Sequence, residues 1–298
     1  MNYQEFLHTL HAKLSAQMDP DTTLQLQKIS RNNGVTYDAF LMVNANVNLS
    51  PTIYVPPYYH RYLDGVDMES IVTDILDTYR KNLPVEDFDI TLFTDYEKAK
   101  KRIVMRLVSY SRNELLLSDV PHKRFLDFAI IFYCLLESCS TQQAGILVHN
   151  HHLSLWDVDC ETLYDAAVHN SPILLEYRLD NMQEILAPVV KELYVSDDEE
   201  PFPMYILSNQ NRTYGASVIL YPGLLSRLAD SFEKDLLILP SSVHEVLLLP
   251  LDDEPDMGYY SKMVNEVNET QLADEEILSD HAYYYSRKTH LMTAAPVA

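Results

Sequence analysis

The run LLILPSSVHEVLLLP, Leu236 to Pro250, constrains the fold more than any other stretch of the chain. Two apolar runs flank Pro240 to Glu245, too few residues to hold a helix. The runs therefore read as antiparallel neighbouring strands or one bent hairpin, the central strand pair of a C-terminal module. The turn between them displays Ser241, Ser242, His244 and Glu245, which is the nearest approach in the sequence to a catalytic constellation. His244 acting as a base beside Ser241 or Ser242, with Glu245 orienting it, would make a hydrolase. Adjacent residues on a strand point to opposite faces, so His244 and Glu245 share a pocket only if the turn displaces them. The GxSxG elbow that exposes a hydrolase serine is absent. The alternative is that the serine hydroxyls and the imidazole satisfy turn amides while Glu245 faces solvent.

Around this pair the pattern is α+β, with mixed, mostly antiparallel sheets flanked by helices. Residues 3–18 carry apolar side chains at helical spacing and end at Asp19-Pro20. Leu24–Ile29 and Val35–Val43 alternate with a period of two about Asn32-Asn33-Gly34, a hairpin. The Pro/Tyr segment 49–62 reads as an edge strand or structured loop, because Pro56-Pro57 interrupts both periodicities. Helices follow from Asp67 to Leu83 and over 94–110, the latter started by Thr94 and Glu97. Phe125–Leu136 is a core strand with Ile146–Val148 as its neighbour. Asp159 caps a helix over 160–169, and another helix covers 181–194. The acidic stretch Ser196–Pro203 is the best linker candidate. Beyond it the order is β-β-α-β-β-α-β: strands 204–207 and 215–220, helix 222–231, strands 236–239 and 245–249, helix 257–270 with Met263, Val264 and Val267 inward, and strand 276–285. This gives an N-terminal α/β domain over 1–195, a C-terminal module over 201–288 and a flexible tail over 289–298.

At 298 residues the chain can bury a large core and hold two domains. Its 6 glycines argue against the Gly-rich loops that cradle phosphates, and no cofactor motif is present. Asp and Glu number 44 against 22 Lys and Arg, a formal net charge of -22 that repels nucleic acid and anionic lipid. No stretch reaches the length of a membrane span, and no basic segment precedes an apolar run at the start. Cys134, Cys139 and Cys160 are odd in number and unpaired in spacing, which disfavours a disulfide framework and a thiolate metal site. A cytoplasmic protein is expected.

Three further groups carry chemistry. His149, His151 and His152 lie within four residues, and imidazoles at a strand end are zinc ligands when a fourth group such as Asp157, Asp159 or His169 joins them. Against this, the HExxH helical spacing is absent, and surface histidines around a Trp156-anchored turn are the favoured reading of the cluster. Lys98, Lys100, Lys101, Arg102 and Arg106 form a basic stripe that would receive phosphate, an acidic partner or the chain's own carboxylates. Finally, His281, Tyr283, Tyr285 and Arg287 on one face of the last strand would suit a peptide or small anion, or simply finish the core edge, and that strand or the opposite turn, with Asn209, Arg212 and Tyr214, would supply any partners for His244.

Met204–Leu225, Leu236–Pro250, Met263–Tyr285 and FLDFAIIFYCLL together resemble an uncharacterised bacterial domain-of-unknown-function family frequent in gut Firmicutes, family number 5688. The resemblance spans nearly the whole chain and is most specific over 204–285. The PSSVHE element is also similar to a second uncharacterised Bacillus-type family. The resemblance implies an intracellular bacterial protein from a mobile or accessory gene set, and assigns no catalytic, cofactor or ligand residue. The reading that fits best is a non-enzymatic module that binds another protein or peptide. Its alternatives are a hydrolase at His244, a metal held by His149, His151 and His152, and a nucleic-acid regulator using 94–110.

Overall fold

A computed structural model describes residues 1–44, 50–83, 91–136, 145–190 and 203–295. Two compact units are present, residues 1–90 with 137–143 and residues 91–136 with 144–298. In the first unit, helix α1 (Tyr3–Ser15) begins at a reciprocal cap between Asn2 and Glu5 and buries Phe6, Leu7, Leu10 and Leu14. Strands β1 (Thr22–Ser30) and β2 (Thr36–Asn44) pair antiparallel from Thr22↔Asn44 to Ser30↔Thr36. Asn33 and Gly34 take positive φ in the connection, as a tight reversal between strands requires. Strand β3 (Thr52–Tyr54) adds to β2.

At Pro56-Pro57 the outcome differs from the edge strand or loop expected. The prolines open helix α2 (Pro56–Leu63), because amides in a helix's first turn have no acceptor within the helix to lose. Helix α3 (Met68–Asn82) starts where the Asp67 side chain accepts from the Ser70 amide. Its predicted face, Ile71, Val72, Ile75, Leu76 and Tyr79, is buried in a core shared with α1, β2 and β3.

The second unit opens with two one-turn helices, α4 (Thr91–Thr94) and α5 (Tyr96–Ala99), and then strand β4 (Ile103–Ser109). The helix expected over 94–110 is thus mostly a strand. Ile103, Val104, Met105, Leu107 and Val108 are all buried, so the segment is covered on both faces, where apolar density overrides either period. Helix α6 (Glu114–Leu117) leads to β5 (His122–Phe125) and β6 (Phe128–Leu135), joined through Leu126 at positive φ. β4 runs along one side of β6, while β5 and β7 (Gly145–Leu147) share the other. Helices α7 (Asn150–Trp156) and α8 (Cys160–Leu174) follow, and the Asp159 side chain caps the second as expected.

A six-stranded antiparallel sheet completes the unit, from β8 (Tyr177–Asn181), β9 (Tyr205–Asn209), β10 (Asp235–Pro240), β11 (Val246–Leu251), β12 (Tyr283–Ser286) and β13 (Leu291–Ala294). Its order is β13-β12-β10-β11-β9-β8, which places the Leu236–Pro250 pair at the centre. The intervening helices are α9 (Met182–Val190), α10 (Leu224–Phe232) and α11 (Met257–Gln271). Leu237, Leu239 and Leu249 pack with Val264 of α11, and the alternate set Leu236, Ile238 and Leu248 is buried on the other face.

Four local expectations change here. Gly215–Leu220 is a buried 3-10 helix instead of a strand. The strand expected over 276–285 is confined to β12, preceded by a 3-10 turn at Asp274–Glu276. Leu291–Ala294, assigned to a tail, pairs with β12. On α11 the inward residues are Val264 and Asn268, whereas Met263 and Val267 are exposed. The linker candidate 196–203 lies, except for Pro203, outside the described residues, as does Cys139.

Candidate functional site

The β10–β11 register pairs Pro240 with Val246 and leaves Ser241–Glu245 as a tight loop. The Ser241 and Ser242 amides both donate to the Glu245 carbonyl at 3.2 Å, and the Val243 amide donates to the Glu276 carbonyl at 2.8 Å. The Ser242 hydroxyl is buried and accepts from the His244 amide at 3.0 Å. That is the turn-satisfying role available to a serine side chain.

The imidazole is engaged in the same way. Its Nδ1 accepts from the Tyr214 amide at 3.0 Å, so the neutral ring carries its proton on Nε2. Nε2 lies 3.9 Å from a Glu276 carboxylate oxygen. A serine-activating base needs a lone pair on the nitrogen facing the hydroxyl, and here the only lone pair is held by a backbone amide. Among the described residues no serine hydroxyl is hydrogen-bonded to this ring. Burial pushes the His244 pKa below its ordinary value, against the pull of Glu276 and Glu245, and Arg106 adds to the lowering.

The residues that converge on His244 come from the 209–214 turn and from β4 and β6. Tyr214, at φ 51, is followed by Gly215, where a Cβ would lie 2.6 Å from both the Asn209 amide nitrogen and the His244 carbonyl oxygen. Only glycine allows that approach. The Arg106 guanidinium stands 3.6 Å from the Tyr133 ring centre and 4.0 Å from that of Tyr214, whose ring is 5.3 Å from His244. Sequence reasoning placed Arg106 on a helical stripe and missed this stack. The readable signal was the β-branched and apolar run around it. Cation–π contacts of this kind are worth about 0.5–2 kcal/mol each and tie the β4–β6 sheet to the loop. Arg212 is elsewhere, bound to Asp180 at 2.7 Å.

The histidine triplet starts α7 instead of ending a strand. The His149 amide donates to Nδ1 of His152 at 2.9 Å, and Nδ1 of His149 meets Asp119 at 2.7 Å. His152 stacks on Trp156, with ring centres 5.4 Å apart, and burial reinforced by His151 and His149 pushes its pKa down to about 4. The rings thus serve a helix start and an aromatic stack. Among the described residues no group of three or more His, Cys, Asp or Glu is placed to hold a metal ion.

Several residues of the 280–287 row are engaged by other parts of the chain. Tyr283 is buried against Phe128 and donates to Asp127 at 2.5 Å, while Asp280 accepts from Arg112 at 2.9 Å and from Asn268 at 2.8 Å. Arg287 pairs with Asp230 at 2.9 Å, beside an open, charged cleft of about 480 Å³ lined by Glu233, Lys234, Asp235 and His290. The outer side of α11 differs in kind. Tyr259, Met263 and Val267 recur every fourth residue, one turn apart, and are 58%, 38% and 42% exposed.

Residues 3–287 match the model of a family described as a family of unknown function, DUF5688. No curated protein matches the chain, and no solved structure does.

Proposed function

We propose that this chain, which belongs to the family of unknown function DUF5688, is a non-enzymatic binding module whose working surface is the outer side of α11. The observation that carries this reading is the exposed row Tyr259, Met263 and Val267. A single exposed apolar side chain needs no explanation, but three in register on one helix make a seam of the kind that packs against another chain. Tyrosine and methionine are also enriched at interfaces, the first for its large rigid ring and the second for its adaptable thioether. The hydrogen bonding of the 241–245 loop weighs against the hydrolase alternative, since Nδ1 of His244 and the Ser242 hydroxyl both accept from backbone amides.

A cytoplasmic setting is part of the proposal, supported by the free thiols of Cys134 and Cys160. Among the described residues no helix is long and apolar enough to cross a membrane. The test is a photo-crosslinking side chain placed at position 263 of the full chain in its native cells. The same group at Leu115, which is 86% exposed on another element, serves as the control. A discrete adduct from position 263 and none from 115 is expected. Equal labelling from both positions, or none from 263, overturns the reading.

A further inference from the structure

We infer that the partner segment seated on α11 is a basic amphipathic helix, an apolar stripe edged by lysine or arginine; the inference rests on the binding reading above. The spacing of Tyr259, Met263 and Val267 gives the geometry. Side chains four apart form one row along a helix, and such a row is matched by a second helix carrying apolar residues at three- and four-residue spacing.

The charges around the row choose the partner. Glu266, three residues beyond Met263, edges the row, Glu269 is exposed further round α11, and Asp253, Glu254 and Asp256 are exposed where the chain enters it. Lys262 is the only basic residue between Asp252 and Gln271. Asp256 caps the helix by accepting from the Tyr259 amide, which keeps a carboxylate beside the first residue of the row. An acidic segment brought against this rim would set like charges against one another, as would a second copy of a chain with net charge -22. Anionic lipid and nucleic acid are repelled for the same reason. A cationic helix gains on both counts, because its apolar side covers the row and its basic edges meet the rim.

The experiment uses the full chain and three labelled synthetic helices of one length and pattern, made of leucine with lysine, leucine with glutamate, and serine with lysine. Binding is followed by fluorescence anisotropy at physiological salt. The leucine–lysine helix is expected to bind. Met263→Asp should weaken it by about tenfold or more, as loss of a central contact does. Glu266→Lys combined with Glu269→Lys should weaken it severalfold, and Leu115→Asp should leave it unchanged. Urea midpoints from Trp156 fluorescence confirm that each variant is folded. Equal binding of the serine–lysine helix, or indifference to Met263→Asp, would reduce the effect to bulk charge and overturn the inference. Binding of the leucine–glutamate helix through Met263 would overturn the charge assignment while leaving α11 as a docking surface. Absence of peptide binding alongside a position-263 crosslink does the same. Absence of both removes the binding reading as well.

Discussion

His244 shows how one hydrogen bond decides what a residue can do. Its Nδ1 accepts from the Tyr214 amide only while that nitrogen is unprotonated, so the bond belongs to the neutral ring. The folded pKa is lowered by burial, whereas the unfolded chain titrates near the ordinary 6.5. The unfolded state therefore takes up a proton first as pH falls. The stability that His244 confers is complete above about pH 6.5 and is lost as pH drops from there toward the folded value. In His244→Asn the amide oxygen stands near the place of Nδ1 and does not titrate. Its urea midpoint should change less than that of the parent between about pH 7.5 and about pH 5.5. Nitrogen chemical shifts should place the proton of the neutral ring on Nε2. A ring protonated on Nδ1, or an unaltered pH response in the variant, would sink this account.

At the scale of single elements, α11 tests which side of a helix its neighbours hold. Met263 and Val264 are successive residues about 100° apart around the axis, and the apolar pattern serves either as the seam. The structure selects Val264, 5% exposed, together with Asn268, whose amide donates to the Ser279 carbonyl and to Asp280. Val264→Ala should lower stability by about 1–3 kcal/mol, through lost burial and a partly filled cavity. Met263→Ala should stay within about 0.5 kcal/mol, as exposed substitutions do. Urea denaturation of both variants checks this, and a larger loss at 263 would reverse the register. The buried Asn268 explains why the sequence misleads here, since an apolar scan does not look for an asparagine in the core. Elements whose local chemistry agrees with their burial were legible: the 24–43 hairpin, α3 with Asp67, α8 with Asp159, and the β10–β11 pair. β4 was not, because a strand covered on both faces shows no alternation. The partners of His244 were hidden further, since Arg106 and Tyr133 reach it only through the pairing of β4 with β6.

For the whole molecule, pairing and charge carry different amounts of sequence information. The acidic stretch suggests a linker, yet β8 before it and β9 after it pair from Tyr177↔Asn209 to Asn181↔Tyr205 within one sheet. Composition says where a chain is polar, and only strand pairing says which segments it joins. Net charge, by contrast, is read directly and has a physical consequence. The ion pairs sit mostly on exposed side chains, as with Lys13–Glu69, Arg61–Asp74 and Arg287–Asp230. Exposed pairs contribute about 0–1 kcal/mol each, which salt weakens. Against them stands self-repulsion among 44 carboxylates offset by only 22 cations, and salt weakens that too. Like charges about 10 Å apart repel by about 0.4 kcal/mol in water, and 44 carboxylates against 22 cations leave an excess of 22 negative charges with no balancing cation. Repulsion is the larger sum, so added salt should stabilise. The screening length falls from about 30 Å at about 10 mM ionic strength to about 8 Å at about 150 mM, and most of the gain should arrive in that interval. Trp156, the only tryptophan and buried in α7, reports the unfolding of the 91–136 and 144–298 unit by fluorescence. Its urea midpoint at about pH 7.5, where ordinary histidines are neutral, should rise with sodium chloride over this range. A flat or falling midpoint would mean that the surface ion pairs outweigh the net charge in this fold.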